Sequence, residues 1–256
     1  MKTQRSGQAR LIPFLLLVMA ACDCDLTGPT IGPGPIDIDI DPQPFHASAE
    51  FSADVPMAGQ ASVRLVGVNG KVSFEGSDDP TMVRVTGTRR VRSESQEDAD
   101  SYLAMVQVSV SELDEEILIE TLQPRNDGRN YEVDYTVALP RQLKAYVKTV
   151  NGEVSLTGLM ADVDVDLTNG KIAADLYLPS EGAIDLFTVN GEIDLKVQQE
   201  ASAQFKATLT HGTISDANLD LQDRVSTPRS LTGRLGDGSG RIQLGLVNGD
   251  IRAEGR

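Results

Sequence analysis

Histidines, cysteines and clustered carboxylates are the side chains of this chain that could do chemistry. It has two histidines, His46 and His211, two cysteines and 38 acidic residues among 256. No Gly-x-Ser-x-Gly sequence marks a nucleophile, and the histidines and cysteines lack the spacing of a zinc site. Residues 236–240 are rich in glycine, but no Lys-Ser or Lys-Thr follows them, as a phosphate-binding loop requires. The sequence therefore predicts no catalytic residues, no metal and no cofactor, and it indicates a protein that is not an enzyme.

Carboxylates alternate with aliphatic residues in two stretches. Asp162, Asp164 and Asp166 alternate with valines, which places them on the solvated face of a strand. Residues 36–41 read Ile-Asp-Ile-Asp-Ile-Asp, which could add a strand to a sheet edge or offer carboxylates to calcium. They lack the glycine and terminal glutamate of an EF-hand loop, so the pattern argues against calcium.

Residues 1–21 have the composition of a targeting segment, since three basic residues and no acid precede an apolar run at 11–19. That run is shorter than the roughly 20 apolar residues that span a bilayer. It ends in Met-Ala-Ala-Cys22, which resembles the lipobox of a bacterial lipoprotein signal, with Met where Leu is usual. The resemblance implies cleavage before Cys22 and lipidation of its thiol and amine, which would anchor the chain to a membrane. The alternative is an ordinary secretory peptide that leaves Cys22 and Cys24 as free or paired thiols.

Residues 22–44 are rich in Pro and Gly, which predicts a linker between the membrane and a body at 45–256. If Cys22 is lipidated, no internal disulfide is possible and the fold must stand without one. The net charge is −15. A chain this acidic is not expected to bind nucleic acid through its phosphates, and anionic lipid head groups should repel the body.

A short unit recurs along the body, and each copy is centred on Asn-Gly or, once, on His-Gly. A Val or Ile follows each glycine by two residues, and apolar residues stand four and six places before each Asn or His. This alternation with period two predicts two strands, each with one buried face. Asn and Gly are the residues that supply positive φ angles in turns. The predicted structural turns are Asn69, Gly70, Asn151, Gly152, Asn169, Gly170, Asn190, Gly191, His211, Gly212, Asn248 and Gly249.

Two all-β architectures fit this pattern: a β-solenoid with a corner at each pair, or a β-sandwich or meander of Asn-Gly hairpins. The units at 151, 169, 190 and 211 are 18, 21 and 21 residues apart. That spacing favours the solenoid, because hairpins usually recur at about 8–12 residues. The scarcity of aromatics, at 4%, suits a narrow core of Val, Ile, Leu and Ala. In a solenoid the Asn side chains would stack as a ladder of amides.

One stretch departs from the strand pattern. Residues 93–105 place apolar side chains at helical spacing, which predicts one short helix capped by Ser93 or Ser95. Between His211 and Asn248 the repeat lapses, and the polar, glycine-rich residues 226–240 predict a loose or inserted rung. The predicted strands before the repeats lie within 45–76 and at 82–91, 106–110, 117–121 and 131–139.

The order of these parts resembles a bacterial family of adhesin-like proteins with β-strand repeats, a domain of unknown function. The resemblance lies in Val-Asn-Gly at 68–70, a strand ending in Pro140, Thr-Val-Asn-Gly at 149–152, and the closing stretch 240–251. It covers about residues 45–252 and implies an all-β, coil-like fold at the cell envelope. The family has no defined catalytic residues, so none is carried over.

Together these features predict a non-enzymatic cell-envelope lipoprotein, on the periplasmic face of a membrane or on the cell surface. Its partners would be the membrane, through the lipid on Cys22, and an envelope protein or glycan bound by the β-repeat surface, as in adhesion. One alternative is a regulatory or sensor module for envelope stress. Another is a polysaccharide-acting β-helix enzyme, which the scarcity of aromatic platforms disfavours, since most Phe and Tyr should be buried.

Overall fold

The computed structural model describes residues 43–125 and 128–256. Cys22, Cys24, residues 36–41 and the predicted leader lie outside the described residues. The elements are β1 (Phe45–Pro56), β2 (Ser62–Val66), β3 (Val72–Ser77), β4 (Met82–Ser93), α1 (Gln96–Leu103), β5 (Gln107–Glu112), β6 (Glu116–Leu122), β7 (Asn130–Pro140), β8 (Lys144–Thr157), β9 (Val163–Leu176), β10 (Ala183–Val197), β11 (Ala203–Ala217), β12 (Gln222–Thr227), β13 (Ser230–Leu235) and β14 (Gly240–Gly255).

Each repeat unit is one long strand that changes its inward face at the Asn-Gly pair. In β8, Ala145 and Val147 are buried before the pair, and Val154 and Leu156 are buried after it. The interval of seven residues between Val147 and Val154 is odd, so a straight strand would put these two side chains on opposite faces. Both sets instead join one core, so the strand turns a corner there. We call the half-strand before the pair the first side and the half-strand after it the second side.

The long strands stack in parallel, with the corner residues of neighbouring strands in register. Asn151 pairs with Asn169, Asn169 with Asn190, Asn190 with Asn248, and Asn248 with His211. Successive hairpin strands would run antiparallel, so the hairpin alternative is wrong for these repeats. The predicted solenoid-like fold is confirmed.

The stacking order differs from the chain order at one place. The strands lie in the order β8, β9, β10, β14, β11, so β14 is inserted between two strands that precede it in the chain. The predicted loose or inserted rung at 226–240 is wrong, because β12 and β13 form an antiparallel hairpin there. This hairpin adds to the first side of β11 through β13. The second side of β11 pairs with β14.

At the other end of the stack, the two sides continue as separate strands. On the first side, β8 is followed by β2, β6 and the antiparallel β5. On the second side, β8 is followed by β3, β7 and the antiparallel β4 and β1. The predicted short helix is confirmed as α1, whose N-cap is Ser95; its side chain accepts a hydrogen bond from the Asp98 amide at 3.2 Å.

The core is built mainly from Val, Ile, Leu and Ala, as the composition predicts. Ile172 and Ile193, two residues after their glycines, have no exposed surface. In β11, the equivalent Ile214 is only partly buried. Two residues further along β11, Asp216 stands in register with the buried Ala253 of β14 and pairs with Arg224 at 2.8 Å. A carboxylate therefore ends one column of core side chains at the edge of the stack.

Candidate functional site

The corner of the solenoid carries a continuous ladder of asparagine amides. Asn151 donates from Nδ2 to Oδ1 of Asn69 at 2.6 Å, and Asn169 donates to Asn151 at 2.8 Å. Asn190 and Asn248 continue the ladder at 2.8 and 2.7 Å. The predicted amide ladder is confirmed, and its amide groups bond mainly to one another.

The glycines of the corner pairs, and not their asparagines, have positive φ. The angle lies between 120° and 143° at Gly70, Gly152, Gly170, Gly191, Gly212 and Gly249. None of the Asn residues of these pairs is among the non-glycine residues with positive φ, and neither is His211. The expectation that Asn supplies a second positive-φ position is therefore wrong. The strands bend at a single glycine and continue.

The same glycines form a column in which a side chain has no room. A Cβ built on Gly170 would lie 1.7 Å from the carbonyl oxygen of Gly152, and one on Gly191 would lie 1.8 Å from that of Gly170. The corner thus uses glycine for close backbone approach as well as for its φ angle. The ladder amides and the glycine column thus have structural roles at the corner.

The outer face of the second side is occupied by ion pairs between neighbouring strands. Lys171 of β9 pairs with Asp194 of β10, and with Glu192 at 3.7 Å. Arg252 of β14 lies 3.3 Å from both of those carboxylates. Charges on this face therefore largely satisfy one another.

The outer face of the first side contains an open groove of about 530 Å³, which we call the first-side groove. It crosses strands β9, β10 and β14. Their parallel pairing aligns the outward side chains of the three strands in two rows across the sheet. One row is Asp164, Asp185 and Gln243, and the other is Asp166, Phe187 and Gly245.

An exposed aromatic ring forms part of the first-side groove. Phe187 points outward from β10 and keeps 42% of its surface exposed. A Cβ on residue 245 would lie 2.9 Å from Cδ2 of Phe187, so the ring lies across β14 because that position is glycine. Most Phe and Tyr were expected to be buried, and Phe187 is an exception. The alternation of faces along a strand could have predicted the exposure of Phe187, since the preceding residue, Leu186, is assigned to the buried face.

The charges in the first-side groove are partly paired. Arg241 pairs with Asp185, and Lys148 lies 3.0 Å from Asp166. Asp164 has no ion-pair partner among the described residues. Burial, and then the nearby Asp185 and Asp166 carboxylates, raise the pKa of Asp164 above its ordinary value, against the weaker opposing effect of Arg64 and Arg241. The groove therefore presents an unpaired acceptor beside an aromatic ring.

Across 43–125 and 128–256, no cluster of three or more His, Cys, Asp or Glu side chains is arranged to hold a metal ion. No helical segment in that same part of the chain combines the length and apolar character needed to cross a bilayer. His46 and His211, the histidines considered from the sequence, lie on β1 and β11.

Residues 134–254 match the family described as Toastrack DUF4097. The match spans 121 of the 256 residues, so this part of the chain is similar to a Toastrack domain. The matched range contains the long strands β8 to β11, the β12–β13 hairpin and nearly all of β14. The amide ladder from Asn151 onward and the whole first-side groove therefore lie inside the matched range.

A solved structure supports this fold. A "putative cell adhesion protein" from Clostridium sporogenes superposes with a TM-score of 0.54 at 10% identity, covering 82% of this chain and all of the other. A "putative adhesin" from Bacteroides fragilis matches with a TM-score of 0.25 at 12% identity, over 80% of this chain and 97% of the other. No curated protein matches the chain. At 10% identity, the likeness to the Clostridium sporogenes structure concerns the fold alone.

Proposed function

We propose that this protein is a non-enzymatic, adhesion-type protein of the bacterial cell envelope. The observation that carries the proposal is the first-side groove, in which an exposed ring and an unpaired carboxylate lie on a rigid parallel sheet. Well-packed strands hold such groups in fixed positions, which reduces the entropy lost on binding. The adhesion-protein description of the Clostridium sporogenes structure supports the same class of function.

The proposed organisation is a leader at 1–21, a linker at 22–44 and a binding body at 45–256. Lipidation of Cys22 would anchor the body, with several acyl chains each contributing about 0.8 kcal/mol per buried methylene. A linker of this length spans up to about 3 Å per residue when extended, so it can hold the acidic body away from lipid head groups. The β-repeat surface would then face an envelope protein or glycan.

Membrane fractionation of cells that express the full chain tests the anchor. Wild type should sediment with membranes and be released by detergent but not by high salt. Cys22→Ser should appear in the soluble fraction, whereas Cys24→Ser, the matched control two residues away, should behave as wild type. A Cys22→Ser protein that still needs detergent for release would contradict the lipid anchor.

Adhesion is tested separately with a strain that lacks the protein. We expect reduced attachment to surfaces or reduced cell–cell aggregation, restored by wild type and not by a chain changed at both Phe187 and Asp164. Unchanged attachment and aggregation in the deletion strain would overturn the adhesion function, even if the Cys22 anchor is correct.

A further inference from the structure

We propose that the first-side groove binds a neutral glycan, with a pyranose ring stacked on Phe187 and its hydroxyl groups bonded to Asp164, Gln243 and Arg241. This ligand class rests on the proposed binding function and makes it specific. The residues involved come from three adjacent strands, β9, β10 and β14, whose pairing is in register along both sides of the corner.

The hydrogen-bonding groups of the groove suit hydroxyls, which both donate and accept. Asp164 offers carboxylate oxygens that have no ion-pair partner in the described residues. Gln243 offers an amide that both donates and accepts, and Arg241 has guanidinium donors beyond those used toward Asp185. A ligand with several adjacent hydroxyls can satisfy acceptors and donors together, which a hydrocarbon or a single charge cannot.

The shape and aromatic content of the groove suit a sugar ring. Because Gly245 lacks a side chain, the floor beside Phe187 is flat, and the phenyl ring leans over it. The groove is open and shallow, so a ligand would be held along one face, as a chain of sugar rings can be. An aromatic ring presents a negative π face to the weakly positive C–H groups of a pyranose, so the two rings attract each other beyond the effect of burial alone.

The charges argue against the other ligand classes. Anionic ligands, including nucleic acids and acidic polysaccharides, would meet Asp164 and a chain of net charge −15. A basic peptide would be attracted by Asp164, but it would meet Arg241 in the same groove, and Asp185 and Asp166 are already paired with Arg241 and Lys148. A neutral ligand avoids both conflicts.

The test is a calorimetric titration of the full-length, detergent-solubilised protein with cellopentaose, maltopentaose and chitopentaose. An oligolysine peptide serves as the alternative ligand. At least one oligosaccharide should bind. Phe187→Leu, which keeps apolar bulk but removes the ring, should weaken binding about two- to tenfold, and Phe187→Tyr should keep it. Asp164→Ala should weaken binding about tenfold or more, because it removes a charged acceptor.

Matched controls separate binding from folding. Phe45, which has the same 42% exposure on β1, changed to Leu should leave binding unaltered, as should Glu153→Ala on the second side. All variants should melt within a few degrees of wild type. If none of the three oligosaccharides binds, or if Phe187→Leu and Phe45→Leu bind equally well, the glycan inference is overturned.

Further outcomes distinguish this inference from the function on which it rests. Loss of glycan binding with intact adhesion, or binding of oligolysine in its place, would overturn the ligand class and leave the adhesion function standing. Hydrolysis or cleavage of an oligosaccharide by pure protein would overturn both, since the proposed function is non-enzymatic.

Discussion

Replacing Gly170 with alanine should unfold the solenoid, although it adds one methyl group. Gly170 lies at a corner with φ of 135°. The added Cβ would lie 1.7 Å from the Gly152 carbonyl oxygen and 2.8 Å from its carbon. Both atoms belong to the backbone of the neighbouring rung, so no side chain can rotate to make room.

Two costs combine at this position. A non-glycine residue held in this backbone region costs of order 1–3 kcal/mol. Relief of the overlap would require rungs β8 and β9 to separate by more than an ångström at the corner, which breaks ladder hydrogen bonds worth about 1 kcal/mol each. The total should exceed about 4 kcal/mol, a large fraction of the 5–15 kcal/mol that stabilises a typical domain.

Gly59 provides the matched control. It has φ of 110°, and a Cβ there would meet no atom within 4 Å. Gly59→Ala therefore carries the backbone cost without the overlap, and it should lower stability by about 1–3 kcal/mol. Urea denaturation followed by circular dichroism measures both variants. Equal midpoints for Gly170→Ala and Gly59→Ala would refute the reasoning that close backbone stacking requires the glycine column.

Three further predictions concern the ladder, the core and the Asp98 carboxylate in the first turn of α1. Asn169→Ala removes two hydrogen bonds of 2.8 Å. It should lower the free energy of unfolding by about 1–2 kcal/mol in the same urea assay, since water can replace part of the loss. An unchanged free energy of unfolding would mean that the ladder does not stabilise the fold. Ile193→Asp should prevent cooperative folding because it buries an unpaired charge, whereas the exposed Asp164→Ala should be nearly silent; similar melts would contradict the assignment of faces. Hydrogen bonds from Arg129 and Ser93 lower the pKa of Asp98 to about 2. The ionised carboxylate therefore stabilises the fold above pH 4, and this stabilisation is lost as the pH falls toward 2. Asp98→Asn should reduce the dependence of stability on pH between pH 4 and pH 2. An unchanged slope in that range would refute this role of Asp98.

The repeat made much of the fold predictable from the sequence. Matched apolar positions on both flanks of Asn151, Asn169 and Asn190 identify inward faces, and the interval of about 20 residues between units indicates a coil. Period two determines which side chains share a face on each flank of a corner, and the aliphatic position two residues after each glycine predicted the burial of Ile172 and Ile193. The helix at Gln96–Leu103 was also predictable, because its spacing and its Ser95 cap are local signals.

Features that depend on contacts between distant residues were not predictable in the same way. The pattern of β14 fits any rung, so the sequence pattern does not reveal its insertion between β10 and β11. The exposure of Phe187 follows from parity, but the groove beside it requires Gly245, 58 residues further along, to be its neighbour. The φ angles of the Asn residues were assigned from hairpin turns, whereas the bent strand needs positive φ at the glycine alone.

The position of β14 has a consequence for how the chain reaches its native state. During synthesis β11 emerges before β14, and its His-Gly unit could dock provisionally on β10 in the place that β14 later takes. In that isomer, Asp216 would lie between two interior side chains, Leu195 of β10 and Ala253 of β14. An unneutralised carboxylate is very unfavourable in such a place. It would also set Thr208 under the Phe187 ring, where the native partner is Gly245. Asp216 and Gly245 would therefore disfavour the premature arrangement and leave the place beside β10 free for β14.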